Sequence, residues 1–358
     1  MKNLKKHVSA LIGIALIAQI FTSCDNKEEV KGEYTNGVYI VNEGNYGSAD
    51  GSLSFYSYDS DSVYNDIFKA KNGDPLWDVL QSVTTSGDNI YIVVNNSNKI
   101  DVADKNTMEY KGSIENVTSP RYLVTKNNTA YVSCWGDNSI KIIDLNTNAI
   151  AGTITANGSG PDKMLINNNY LYVVNTGGWG NDSTVTIINT ETNEVEKYLN
   201  VPYNPKDIVM DNSGNIWVLS FGMVSYAEDF STISLSPSML YKIDPATNEV
   251  VSQGELFADQ HPAHLEANDE SNTLYIGGGY TFVGIYKIEI AGNNLTLSQI
   301  ANDFAYGLNF DAKSNALFVS LSGNYTSAGT VKRYDTDGNL LGTYSCGIGT
   351  SGAFKNTK

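Results

Sequence analysis

His261 and His264 stand three residues apart in QHPAH, and His7 is the only other histidine in the chain. Such a pair is either part of a metal or acid–base site or two ordinary structural side chains. Zinc sites take three or four His, Cys or carboxylate ligands, so two imidazoles alone define none; an axial role toward a metal carried by a ligand stays open. Cys134, beside Trp135, becomes a nucleophile only if a histidine activates it, and nothing in the sequence fixes that pairing. Glu228 and Asp229 would supply carboxylates to a lyase or lactonase reaction if they converged with His261 or His264 on one pocket. DTDGN (335–339) has the opening of a calcium loop without its distal Glu, and reads as a hairpin turn. Neither a phosphate-cradling glycine loop nor a serine elbow appears. The residues therefore predict no catalytic set and no metal site. Arg121, Lys163 and Lys206 each follow closely on a proline. They could hold amide, phosphate or carboxylate groups of a ligand, or equally could form salt bridges with neighbours such as Asp162 and Asp207.

The elements that must position these residues repeat. An apolar–aromatic–apolar triplet recurs as VYI (38–40), IYI (90–92), AYV (130–132), LYV (171–173), IWV (216–218), LYI (274–276) and LFV (317–319). Its central aromatics are spaced by 52, 40, 41, 45, 58 and 43 residues, close to the period of four-stranded propeller blades. Before several triplets comes a proline-led segment (SPRYLV, GPDKMLI, NPKDIVM, HPAHLEA), and after them an alternating strand such as SIKIIDL or TVTIIN. Polar turns and a fourth strand complete each unit. No segment after residue 24 shows a convincing helical period. The expectation is an all-β, seven-bladed β-propeller of four-stranded blades. GVYIVN (37–42) reads as a second strand and GIGTSGAF (347–354) as a first strand, so the C-terminal segment is expected to close the ring against the N-terminal blade.

In such a unit the loops between second and third strands share one face with the loops that lead into the next blade. Here that face is rich in aromatics. NTGGWGNDS (175–183) places Trp179 between two glycines, where a turn needs no tryptophan. Tyr46, Trp135, Phe221, Tyr226, Phe230, Tyr280, Phe282 and Tyr325 fall in equivalent loops, and Trp77, Tyr203, Phe304 and Tyr306 in the connecting ones. The opposite face carries short polar turns such as SGDN (86–89) and LNTN (145–148). The loop aromatics, with Arg121, Lys163 and Lys206 at the channel mouth, are thus the candidate ligand-binding set. Mutual packing that pins the loops is the alternative role for any one of them.

Residues 1–23 read as an export signal: MKNLKKH is basic, VSALIGIALIAQIF is apolar but short for a membrane span, and FTSC ends in Cys24. The FTSC run resembles a relaxed bacterial lipobox, which implies cleavage before Cys24, its lipidation, and a tether over 24–35 leading to a propeller over 36–358. Membrane association is expected through that lipid alone. The acidic DNKEE that follows resembles the signal that sends Bacteroidetes lipoproteins to the exterior of the outer membrane. Losing residues 1–23 would remove three lysines and no acids, moving the net charge from −16 to about −19. A surface this acidic repels phosphate backbones and argues against nucleic acid. Cys134 and Cys346 make no disulfide framework and are expected as separate buried thiols.

The repeat as a whole (LYVVN, VTIIN, ETNEV, PKDIVMD) resembles the YVTN/YncE-like propellers, and VNEGNYGSADGSLSFYSYD (41–59) after a lipobox-like segment resembles the BtuG-type surface lipoproteins of Bacteroidetes. The resemblance spans residues from about 20 to 358. It implies capture of cobalamin or a related corrinoid, as ligand and not as catalytic cofactor, and delivery to a BtuB-type TonB-dependent barrel in the outer membrane. A glycan-binding or adhesive propeller, and a propeller lyase or lactonase, are the other readings.

Overall fold

The computed structural model describes residues 33–75, 77–227, 232–279, 282–292 and 294–355; the side chains of 224, 226 and 232–234 lie outside that description. Seven four-stranded antiparallel sheets form the blades of a β-propeller. Blade two shows the unit: an inner strand Leu80–Ser86, then Asn89–Val94, Lys99–Asp104 and the outer Tyr110–Glu115. The inner strands of the other blades are Pro120–Lys126, Pro161–Asn167, Pro205–Met210, His264–Ala267, Gly307–Asp311 and Thr350–Lys355. Each packs on the next around the channel, and Thr350–Lys355 meets Leu80–Ser86 to complete the circle.

Closure follows the expected route. Thr350–Lys355 pairs antiparallel with Gly37–Asn42, with Tyr39 opposite Phe354 and Val41 opposite Gly352. The crossing is one residue wide: Leu340–Ile348 is still the outer strand of blade seven, and Gly349, at φ +66°, turns the chain into blade one. Among the described residues no helix is long and apolar enough to cross a membrane.

Two features depart from the sequence reading. Residues Ile67–Asn72 form a short helix whose Ile67 and Phe68 are buried; two apolar residues in one and a half turns leave no period to detect. The long loop of blade five contains a hairpin, Met223–Tyr226 against Thr232–Ser236, which its uneven alternation hid.

The repeated triplet has a physical cause. Its flanking apolar residues wedge between blades; Val93 and Val102 of blade two pack with Leu123, Ala130 and Val132 of blade three. Its tyrosine crosses to the next blade. Tyr91 Oη donates to Asn148 Oδ1 at 3.1 Å, Tyr131 Oη to Asn193 Oδ1 at 2.9 Å, and Tyr172 Oη to Asn248 Oδ1. All three asparagines sit in turns between third and outer strands at positive φ, a conformation asparagine tolerates better than most side chains. Blades two, three and four are therefore each stapled to the next by the residue that repeats. Tyr131→Phe, which removes one staple and strands the Asn193 acceptor, is expected to cost about 1–2 kcal/mol in urea unfolding. Unchanged stability would show the staple to be incidental.

Candidate ligand-binding face

The loop face is built by one contact made in blade after blade. The loop after the second strand hydrogen-bonds to the segment entering the same blade's inner strand: Trp135 N–H to Ser119 O (3.1 Å), Thr176 N–H to Gly160 O (2.9 Å), Phe221 N–H to Asn204 O (2.8 Å) and Tyr306 N–H to Ser320 O (2.7 Å). The two loop sets thus share a face, as expected.

At this end the inner strands carry β-bulges. The ladder with the second strand slips between Leu80 and Ser82, Pro120 and Leu123, Pro161 and Met164, and Pro205 and Asp207, and in blade one Ser351 is left out between Thr350 and Gly352. A bulge re-aims side chains that a regular strand would alternate. The residues within these slips are Gln81, Arg121, Tyr122, Asp162, Lys163, Lys206 and Ser351, and all of them line the channel mouth. The prolines fit there because the irregular first pair does not need their missing N–H.

Two cavities meet at the mouth. One of about 170 Å³ is lined by Glu43, Gln81, Arg121, Tyr122, Lys163, His264, Tyr306 and Asn309 among others. The second, about 150 Å³, shares Arg121, Tyr122, Lys163 and His264 and adds Trp135, Asp162, Thr176, Lys206 and Ala263. Arg121 donates from Nε to Asp162 Oδ2 at 3.0 Å and from Nη1 to Gln81, and its guanidinium lies 3.9 Å from the centre of the Trp135 ring. Lys163 Nζ is 3.8 Å from Asp207 Oδ2 and 4.6 Å from the Tyr122 ring centre. Burial opposes the Lys163 charge, but Asp207 and the other surrounding groups outweigh it and hold the ammonium above the usual lysine range. Both roles foreseen for these two cations, salt bridge and mouth lining, are therefore present together. Lys206 differs. Burial pulls its ammonium below the lysine range, and the attraction of Asp162 does not restore it.

The histidines are held by backbone. His264 Nε2 is 2.9 Å from Tyr306 O and its Nδ1 is 3.9 Å from Asp207 Oδ2; burial pushes this imidazole toward its neutral form. His261 Nδ1 is 2.6 Å from Phe221 O, and the His261 ring lies 5.1 Å from that of Phe221. Among the described residues no cluster of three His, Cys, Asp or Glu could hold a metal ion. Glu43, lifted above the carboxylate range by burial, accepts from Tyr306 Oη at 2.8 Å. Cys134 and Cys346 are free and buried, as expected, and burial pushes each thiol up to about 12. At neutral pH neither is a thiolate, which removes the nucleophile reading of Cys134. In DTDGN, Asp335 Oδ1 accepts from the N–H groups of Asp337 (3.0 Å) and Asn339 (2.8 Å), which is the hairpin turn and not a calcium loop.

The aromatics divide. Trp179 is 98% exposed and Tyr46 79%; Tyr325, Tyr203 and Phe304 are also exposed. Trp179 stands edge-on to Trp135 at 5.8 Å, and Tyr325 edge-on to Tyr306 at 5.6 Å, so two rim-to-mouth ladders run inward. Lys206 Nζ lies 5.8 Å from the Phe221 ring centre. Trp77 and Phe282 do not belong to the rim. Trp77 is 0% exposed, packs on Phe68 and donates from Nε1 to Asp101 Oδ2 at 2.7 Å. Phe282 is 1% exposed between Phe257 and Tyr286. Both are loop aromatics by sequence that turn inward to anchor their loops, so neither offers a ligand any surface. Tyr280, Phe230, Glu228, Asp229 and Cys24, and the side chain of Tyr226, lie outside the described residues. Sequence reasoning missed Gln81, Tyr122, Glu43 and Asn309. The first two stand beside the start of an inner strand, as Arg121 does, and that shared position was the available signal.

Fold and site together define a seven-bladed propeller with a cation-lined mouth beneath a rim of exposed aromatic rings. Residues 36–347 match the family described as a domain of unknown function, DUF5074, and the chain belongs to that family. No curated relative matches it. Among solved structures it is similar to a quinonprotein alcohol dehydrogenase-like protein from Bacteroides thetaiotaomicron (17% identity, 90% of this chain and 79% of that one, TM-score 0.66). It is also similar to a functionally unknown protein from Desulfotomaculum acetoxidans (12%, 89% and 98%, 0.65) and to Kuenenia stuttgartiensis hydrazine synthase (16%, 75% and 87%, 0.63). At such identities the likeness is one of fold.

Proposed function

We propose that this protein is a non-catalytic capture module that binds cobalamin or a related corrinoid across its aromatic face. In this reading it is lipid-anchored on the cell exterior and passes its cargo to a TonB-dependent outer-membrane barrel. The observation that carries the binding reading is the rim: Trp179, Tyr46 and Tyr325 are solvated around a mouth of Gln81, Arg121, Lys163, Lys206 and Asn309. Large exposed rings gain little for stability, and their burial under a ligand returns roughly 1.5–3 kcal/mol each. A corrin is a wide plate fringed with amides. Cavities of about 170 and 150 Å³ are too small to enclose it, so it would lie across the rim with one substituent in the mouth. The first described residues join the propeller at the other face, where Tyr34 N–H bonds to Asn106 O in a turn between third and outer strands.

Titration with cyanocobalamin is expected to give saturable heat and a stoichiometric red complex on a sizing column. Trp179→Ala should weaken that affinity about tenfold, the effect of a moderate hot spot. Neither heat nor colour with cyano- or hydroxocobalamin would refute the reading, and binding to a glycan array instead would assign the same rings to carbohydrate stacking. Recovery of a barrel partner from detergent-solubilised outer membrane tests the delivery step.

A further inference from the structure

We infer that the smaller mouth cavity is an anion subsite, in which Lys206 receives a phosphate ester or carboxylate attached to a flat ring that stacks on Trp179.

Three cations line the mouth, and two are neutralised within the protein: Arg121 by Asp162 at 3.0 Å and Lys163 by Asp207 at 3.8 Å. Lys206 has no ion-pair partner among the described residues; its Nζ makes a long hydrogen bond, 3.5 Å, to Thr176 O and lies 5.8 Å from the Phe221 ring centre. Glu43 and His264, the other titratable groups around the two cavities apart from tyrosines, are both shifted toward neutrality by burial. Lys206 is therefore the mouth cation without a carboxylate partner among the described residues, on a chain of net charge −16. An ammonium withdrawn from water and left without a carboxylate regains its lost solvation when an anion binds. The bulge that inserts Lys206 between Pro205 and Asp207 aims it there; a regular strand would have turned it with the pleat.

The cavity is also lined by Trp135, whose indole N–H has no acceptor among the described residues. Buried donors left unmatched are uncommon and are a frequent mark of a group that a ligand completes. Trp135 in turn touches Trp179, 98% exposed, so a ring stacked on the rim tryptophan can extend an anionic arm into the cavity. At about 150 Å³ the space has room for a phosphate or carboxylate.

The test uses the purified full chain and four probes: inorganic phosphate, phenyl phosphate, benzoate and benzamide, followed by tryptophan fluorescence and calorimetry. Phenyl phosphate and benzoate are expected to saturate, phenyl phosphate about tenfold more tightly than phosphate because stacking adds to charge. Benzamide should bind at least about tenfold more weakly than benzoate. Lys206→Gln is expected to weaken both phosphate probes about tenfold or more, with Lys206→Arg restoring them, and Trp179→Ala to weaken phenyl phosphate alone. Lys197→Gln, which removes the same charge on an outer strand, should change nothing. Absence of saturation, equal loss in Lys206→Gln and Lys197→Gln, or full binding by Lys206→Gln would each overturn the proposal. The inference rests on the mouth alone: failure with corrinoids leaves the phosphate arms standing, and failure with phosphates leaves corrinoid stacking untouched.

Discussion

Deleting residues 349–358 is expected to abolish cooperative folding. The deletion removes Thr350–Lys355, the inner strand of blade one, together with the Gly349 turn that leads to it. Gly37–Asn42, every residue of which is buried, would then present an open edge toward the channel, and Gly307–Asp311 would lose its neighbour. Asn42 would lose the Thr350 hydroxyl it accepts at 2.9 Å, and the N–H of Glu43 would lose Gly349 O, also at 2.9 Å. A propeller has no separate core to fall back on, because its apolar clusters lie between blades. Opening the ring forfeits about 5 kcal/mol or more, comparable to the whole stability of an ordinary domain. It also frees a strand edge that invites association. The truncated chain should elute as aggregate and lack a sharp thermal transition by circular dichroism. A synthetic peptide of residues 347–358 should partly restore both. A monodisperse truncation product with the parent's transition would show that closure is dispensable.

The blades were readable because their chemistry repeats. Tyr91, Tyr131 and Tyr172 recur at near-constant spacing since each must reach an asparagine in the next blade, and that requirement leaves a regular trace in the sequence. The mouth was partly readable. Arg121, Lys163 and Lys206 were marked by the prolines before them, but Gln81 follows a leucine and so had only its place at the start of an inner strand to mark it, although its bulge is of the same kind. The histidines could not be assigned from sequence, because their fixing partners are the carbonyls of Phe221 and Tyr306, and a carbonyl is present at every position. Which loop aromatics face water was the least legible part. Trp77 and Trp179 both sit beside glycines or polar turn residues. What separates them is the three-dimensional position of Asp101 and of the Ile67–Asn72 helix, which no local pattern encodes.

Those two tryptophans make the sharpest test of the division. Trp77→Ala is expected to destabilise the protein by about 3–5 kcal/mol, the cost of a large cavity in a packed site. The indole fills the space between the short helix and blade one, touching Phe68 at 4.6 Å between ring centres. Its backbone bridges to Asp50, and its carbonyl accepts from Gly51 N–H at 3.0 Å, so the loop that displays Tyr46 is held in place through Trp77. Asp101, buried, would keep Lys99 at 3.0 Å but lose the indole donor. Trp77→Phe restores most of the volume and not that donor, and should cost about 1–3 kcal/mol. Trp179→Ala, by contrast, removes a side chain whose only ring contact among the described residues is the edge of Trp135, and its unfolding free energy should stay within about 0.5 kcal/mol of the parent. Urea unfolding of the three variants decides the matter. If Trp179→Ala proved the more damaging substitution, the rim ring would be a structural prop, and the aromatic face would lose the solvated surface on which capture depends.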